Sequence, residues 1–400
     1  MLLHWVWFAG LPGVSLKCKL QLLERFSDPE EIYRTENFKH IPEISEELAE
    51  CLCSKDLGPA RKILAECKRL QLGVLTMQDA GYPSRLRCIS DPPLVLYYKG
   101  YIPELEEQPA IGIVGTRKAT AYGLQNAREM SREITACGGL VVSGGAAGID
   151  TAALEGALDV GGVCIAVLGC GVDVIYPKSN WMLFQRIAEN GCILSEYPPG
   201  TEPRPWQFPE RNRIISGLAA GVLVVEAPKN SGALITARDA FDQGRDVYAV
   251  PGNIGSSASE GSNGLLQDCA SVALSGWDVM KEYEGIYPGV AKRTYLPVMS
   301  KSETGNRVAQ HPFPGVYTPD DKKAIDNLAA GAYIDRERIL EGLDPLSRLV
   351  VENLGDEPIP VDELIAKAEQ PPEQILSCLT MLALKGVVEN HPGRLISLKR

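Results

Sequence analysis

The sequence predicts an α/β protein, a doubly wound parallel sheet with a helical segment before it and a smaller module after it. Three observations carry this. From Ala110 onward, short β-branched runs end on glycine and give way to helical stretches, as in AIGIVG, GLVVSGGAAG, VCIAVLGCG, CILSEYPPG, GVLVVEAP and DVYAVPG. These runs are apolar throughout rather than alternating, the pattern of strands covered on both faces. The chain's 400 residues exceed what one hydrophobic core usually organises, so further domains are expected around the sheet.

In chain order, residues 1–75 carry Leu16, Leu20, Leu23 and Ile32, then Leu48, Leu52, Leu57, Ile63 and Leu64, at helical spacing. LPGVSLKCKLQLL sets a Pro-Gly hairpin between helical stretches, as in helix-hairpin-helix or SAM-like modules, and a purely structural bundle is the stronger reading there. Residues 76–283 hold the Rossmann-like domain, entered through AGYPSRLRCISDPPLVLYYKG with a short strand of its own. Residues 284–343, with Pro288, Pro297, Pro312, Pro314, Pro319 and the polar SKSETGNRVAQ, read as a partly mobile linker. Residues 344–400 give three helical stretches, DPLSRLVVENLG, PVDELIAKAE and PPEQILSCLTMLALKG, and then VVENHPGRLISLK as two strands about a Pro-Gly turn, the winged-helix pattern. The third helix opens on Glu373 and Gln374 and carries Lys385 only at its far end, and the helix before it adds Asp362, Glu363 and Glu369. Such a face repels duplex phosphates, so this module is expected to bind protein or regulate the central domain.

Composition narrows the function. With 45% hydrophobic and 23% charged residues the chain is neither collagen-like, disordered nor a coiled coil. The apolar stretch from Met1 to Val14 is too short for a bilayer span and lacks the flanks of a secretory signal, so no membrane association is expected. Eleven cysteines without a CxxC pair suggest reduced thiols in a cytoplasm. His4, His40, His311 and His391 all lie outside the glycine-rich middle, so no histidine-based catalysis, metal site or cofactor is expected there. A net charge of -11 opposes diffuse adhesion to nucleic acid, and any anion site must be local.

In open parallel sheets ligands bind beyond the carboxyl ends of the strands. In GIVGTRKATAYG, Gly115 ends a strand, Thr116 is placed to cap the next helix, and Arg117 and Lys118 stand beside amides that attract anions. A tight turn with two solvated cations is the competing reading. VVSGGAAGIDTAALEGAL adds Gly144, Gly145 and Gly148, with Asp150 at a helix start. It fits neither a dinucleotide fingerprint nor a P-loop, which leaves a cradle for one or two phosphates against glycines that serve helix-sheet packing. GCGVDVIYPKSN supplies Asp173, Tyr176, Lys178 and Asn180, suited to stacking on a base and pairing with a phosphate. FPERNRIISGLA brings Arg211, Asn212 and Arg213 to another helix start, costly beside other cations unless an anion is shared. Salt bridges to Glu196, Glu202 or Glu210 are the alternative. KNSGALITARDAF, with Ser231, Gly232 and Thr236, is placed to close the pocket from the far side. Asp150, Asp173, Glu196 and Glu226 have no nucleophile or histidine beside them, so no catalytic residue is assigned, and Glu226 and Asp150 are read as helix caps or as groups that orient the arginines.

The succession of these motifs, with EGSNGLLQDCA after them, resembles the DNA-processing protein A family (DprA/Smf) nearly continuously over about 80 to 283. The resemblance implies a dimerising, Rossmann-like protein that is not an enzyme, binds single-stranded DNA and passes it to the recombinase RecA in natural transformation. It also implies that Arg117 and Lys178 hold the strand, that Gly144, Gly145 and Ala147 offer amides, and that Arg211, Asn212 and Arg213 line the same pocket. Thr116 stands where the family more often has serine. The alternative is a nucleotide-binding or nucleotide-cleaving protein of the phosphoribohydrolase kind, whose PGGxGT-type loop SGGAAGIDTAALEG matches only faintly. A winged-helix transcription regulator is a third class.

Overall fold

The computed structural model describes residues 1–293 apart from 37, 39–43, 45 and 269, and beyond them 348–350, 359–360, 364–365, 367, 375, 378–379, 382, 388–391 and 395–398. The chain forms two compact units, Met1–Tyr317 and Thr318–Arg400.

The first unit opens with α1 (Leu2–Ala9), α2 (Leu16–Arg25), α3 (Pro29–Arg34), α4 (Glu46–Cys53) and α5 (Gly58–Arg69). The Pro-Gly hairpin turns between α1 and α2 at Gly13, whose φ of +75° suits glycine. Ser15 then caps α2 by accepting from the Cys18 amide, and Asp28 caps α3. Ile32 and Leu52 are fully buried, whereas Leu22 rather than Leu16, Leu20 or Leu23 is the buried leucine of α2.

The sheet follows as β1 (Gly73–Thr76), α6 (Ser84–Arg87), β2 (Val95–Gly100), β3 (Ala110–Val114), α7 (Ala121–Ala136), β4 (Leu140–Ser143), α8 (Ile149–Asp159), β5 (Cys164–Val167), α9 (Trp181–Glu189), β6 (Gly191–Ser195), α10 (Gln207–Leu218), β7 (Gly221–Val224), α11 (Ala233–Asp242), β8 (Asp246–Ala249), α12 (Glu260–Asp268), β9 (Ser271–Val272) and α13 (Gly276–Met280). The strand order is β1-β2-β6-β5-β4-β3-β7-β8-β9. Every pairing from β6 to β9 is parallel, while β2 joins β6, and β1 joins β2, antiparallel. The sheet is therefore doubly wound and parallel in its body, with an antiparallel edge supplied by the entry segment. Strand β1, which the sequence reading did not single out, adds a further edge.

Side chains of β3 alternate between two buried layers. Ile111 and Ile113 face the core shared with α7, α8, α9 and the N-terminal helices, and Ala110 and Val114 face the core under α10 and α11. Strand β3 is also the point where the winding reverses, with β4 on one side and β7 on the other. A crevice opens there by topology alone. Residues 284–293, assigned to the linker by the sequence, are packed: Tyr287 and Val290 are buried, and the Ala291 amide donates to the Cys137 carbonyl. The rest of that linker, from 294, lies outside the described residues.

The second unit holds β10 (Ile359–Pro360), β11 (Val388–His391) and β12 (Leu395–Leu398) in the order β10-β12-β11, all antiparallel. The two expected strands pair with each other, and β10 adds a third. The described parts of the preceding stretches are helical at 348–350, 364–365, 367, 375, 378–379 and 382. Asp362, Glu363, Glu369, Glu373, Gln374 and Lys385, which carry the expectation about this module's charge, lie outside the described residues. No helix among the described residues is long and apolar enough to cross a membrane.

Candidate nucleic-acid interface

At the carboxyl edge of β3 and β7 lies a cavity of about 510 Å³. Its walls are the loop from Val114 to Lys118, the start of α8 at Ala146 and Asp150, the start of α10 around Phe208 and Arg211, and the start of α11 from Asn230 to Thr236. Helix starts carry unsatisfied amides and the positive end of the helix dipole, so their convergence favours an anion.

The first loop is held from below. The Thr116 amide donates to the Glu226 carbonyl at 2.8 Å, and the buried Glu226 carboxylate accepts from the Thr120 amide at 2.8 Å and the Thr120 hydroxyl at 2.6 Å. Thr120, not Thr116, caps α7, accepting from the Gly123 amide. The expected Thr116 cap is wrong because the loop runs four residues further before the helix begins. Thr116 instead closes a local turn, its hydroxyl accepting from the Lys118 amide at 3.2 Å. Glu226, read as a helix cap or a group that orients the arginines, does neither directly: it anchors the capping residue Thr120. The loop leaves Arg117 and Lys118 exposed, and among the described residues neither forms an ion pair, although the Arg117 charge favours ionisation of Asp150 across the cavity. The Arg117 guanidinium lies over the Phe208 ring at 4.8 Å.

Glycine in the second loop answers to packing. A Cβ on Gly144 would lie 2.5 Å from Arg211 Nη2, one on Gly115 would strike Ile149, and Gly145 has a φ of +65° with Phe184 in the way of a side chain. Gly148, at φ +85°, lets this loop approach the first so closely that a Cβ would sit 2.4 Å from the Thr116 carbonyl. Ala147 is exposed beside Ala146, whose amide donates to Asp150 at 3.3 Å.

Arg211 forms the floor. It is 3% exposed, donates from Nη1 to the Gly144 carbonyl at 2.7 Å and to the Val167 carbonyl, and from Nε to Asn212 Oδ1 at 3.3 Å. Burial pushes its pKa down to about 10, against the attraction of Asp150, and burial likewise raises the Asp150 carboxyl to about 6, against the attraction of Arg211. Asn212 reaches across to the Gly232 carbonyl at 3.3 Å and so ties α10 to α11. Arg213 is not in this cavity. Two residues further round the helix, its side chain points to the opposite side, where it pairs with Glu196 at 2.6 Å and Asp91 at 3.0 Å. The salt bridge to Glu196, the alternative reading, accounts for this residue.

Tyr176 and Lys178 stand beside the cavity rather than in its lining. Lys178 is exposed at the start of a one-turn 3-10 helix, and the half-exposed Tyr176 ring packs on Phe208 at 5.4 Å. Asn180 is buried and bonds the Gly145 carbonyl at 3.0 Å and the Thr151 hydroxyl at 2.8 Å, while Asp173 accepts from the Gly200 amide at 2.9 Å; both hold loops. Phe208, which joins Arg117 to Tyr176, was not read from the sequence. Its only signal was an aromatic residue two positions from another, Trp206, just ahead of the arginines.

A family model described as DNA recombination-mediator protein A matches residues 73–284, and a second, for the DprA winged helix domain, matches residues 335–394. The chain belongs to the DNA recombination-mediator protein A family. Among members of this DprA/Smf family, Protein Smf of Synechocystis is 36% identical over 327 residues, which is 80% of this chain and 78% of that protein. The DNA processing protein DprA of Streptococcus pneumoniae is 45% identical over 210 residues, 52% of this chain and 72% of its own. The X-ray structure of DprA from Streptococcus pneumoniae superposes with a TM-score of 0.59 at 32% identity, covering 70% of this chain and 98% of that one. The two family models cover the sheet domain and the winged helix alike.

Proposed function

We propose that this protein binds single-stranded DNA in the cavity at the carboxyl edge of the sheet and passes the strand to the RecA recombinase, working as a cytoplasmic homodimer in the processing of incoming or recombining DNA. The observation that carries the reading is the pair Arg117 and Lys118, exposed and in no ion pair among the described residues, on a loop pinned where helix starts converge. In a chain of net charge -11, cations left unpaired at an amide-rich crevice answer to a local anion, and a strand phosphate supplies it. Phe208 and Tyr176 give bases of an unpaired strand a surface to stack on, and Lys178 extends the phosphate track beside them. Within the lining, Asp150 is the one carboxylate among the described residues, and it is engaged with the Ala146 amide and the Arg211 charge, so the reading is binding without turnover.

Fluorescence anisotropy with labelled oligo-dT, a duplex of the same length and free nucleotides tests this directly. Oligo-dT is expected to bind more tightly than duplex or nucleotide, and the complex to speed RecA filament growth on protein-coated single strands. Tighter binding of a free nucleotide with steady release of its base would overturn the reading in favour of a phosphoribohydrolase.

A further inference from the structure

The far wall of the cavity, at the start of α11, differs in kind from the wall of Arg117 and Lys118. It holds no charged side chain: Asn230, Ser231, Gly232, Ala233 and Thr236 line it. Helix α11 runs for ten residues, and its N-cap Gly232 contributes no side-chain hydrogen bond. Ser231 accepts from the Ala233 amide at 3.3 Å, which leaves its hydroxyl proton to donate elsewhere. An independent observation sits one turn in. Thr236 is 1% exposed, yet its hydroxyl has no hydrogen-bond partner. A buried hydroxyl without a partner costs about 1–3 kcal/mol, and because Thr236 lines the cavity, rotation of its hydroxyl proton alone is enough to present a donor to a ligand there. Asn212, bonded to the Gly232 carbonyl, fixes this wall against the arginine floor.

We propose that the start of α11 is a second phosphate subsite, in which Ser231 and Thr236 donate to a strand phosphate next to the one held by Arg117 and Lys118. The inference rests on the single-strand reading and assigns the two walls different physics. The first wall neutralises charge. The second bonds a phosphate through neutral donors and the helix dipole, a type of contact that displaces no counterion from the strand. The positive helix end is what favours a phosphate here, since the hydroxyls of this wall and the Asn230 amide can serve a base edge as well.

The test is oligo-dT affinity measured over a range of salt for the full chain, Thr236→Val and Ser231→Ala, with melting curves to confirm folding. Each substitution is expected to weaken binding about tenfold or more, the loss of a hydrogen bond to a charged group, with the slope of log affinity against log salt unchanged. Arg117→Ala is expected to lower that slope by about 0.7. The same comparison on an abasic oligomer of equal length separates phosphate from base. A tenfold loss that persists there supports the subsite, and a loss that disappears overturns it in favour of base recognition. Unchanged affinity in both variants, with Arg117→Ala still weak, overturns the subsite alone, whereas failure of the unsubstituted protein to bind oligo-dT overturns the reading beneath it.

Discussion

Two crevices flank helix α10, and both contain cations. In the cavity at the sheet edge, Arg117 and Lys118 are exposed and form no ion pair among the described residues. In the other, of about 370 Å³ between the N-terminal helices and the sheet, Arg213 is neutralised by Glu196 and Asp91, and the buried Lys19 donates to the carbonyls of Ala9 at 2.6 Å and Leu11 at 3.3 Å. A cation whose charge is already answered within the protein is a clamp, and one left exposed without an ion pair is a candidate site. Arg211 and Arg213, two residues apart in one helix, face different crevices, yet both are clamps: Arg211 donates to carbonyls of its own chain and Arg213 pairs with carboxylates.

The comparison breaks most readily at its extremes. Replacing Arg117 and Lys118 together by alanine is expected to reduce oligo-dT affinity about a hundredfold, from two charge-assisted hydrogen bonds, and to lower the salt slope by about 1.4; anisotropy titrations over salt measure both. Arg213→Ala should do the converse. It leaves Glu196 buried without its partner, so urea unfolding should report a loss of about 3 kcal/mol, while oligo-dT affinity stays within about twofold. Equal binding losses in the two experiments would erase the distinction between site and clamp.

Two smaller effects follow from burial. Asp150 is raised from 3.8 to about 6, so the folded protein holds a proton that the unfolded chain has released, and stability falls as pH rises from about 4 to about 6. Asp150→Asn should flatten that part of the profile of unfolding free energy against pH. Lys19 is lowered from 10.5 to about 8, so between those values the unfolded chain binds the extra proton and stability rises with pH. Lys19→Met should abolish this rise without altering DNA affinity, and a change in affinity would tie the second crevice to the first.

The strands from β3 to β8 were legible because a continuous apolar run ending on glycine admits few other readings, and their carboxyl ends then located the cavity. The edges were less legible. Strand β9 has two residues, both exposed, and β1 has three of its four residues half-buried, so neither gives an apolar run. At the site, the exposure of the loop cations was readable, but the division between Arg211 and Arg213 depends on the phase of α10 about its axis, which a motif quoted as a string does not reveal. The glycines were ambiguous in a similar way. Gly144 makes room for an arginine of its own chain, a reason visible only once the helix that carries Arg211 is packed beneath it.

The interlock of the first two loops has a kinetic consequence. The Ile149 amide donates to the Thr116 carbonyl at 3.3 Å, Gly148 allows that contact, and Glu226 pins the loop from the other side. The backbone of this cradle is in place before a strand arrives. Association should then be governed by diffusional encounter and orientation, with no slow isomerisation following it, and differences in affinity among strands should appear in how long they stay.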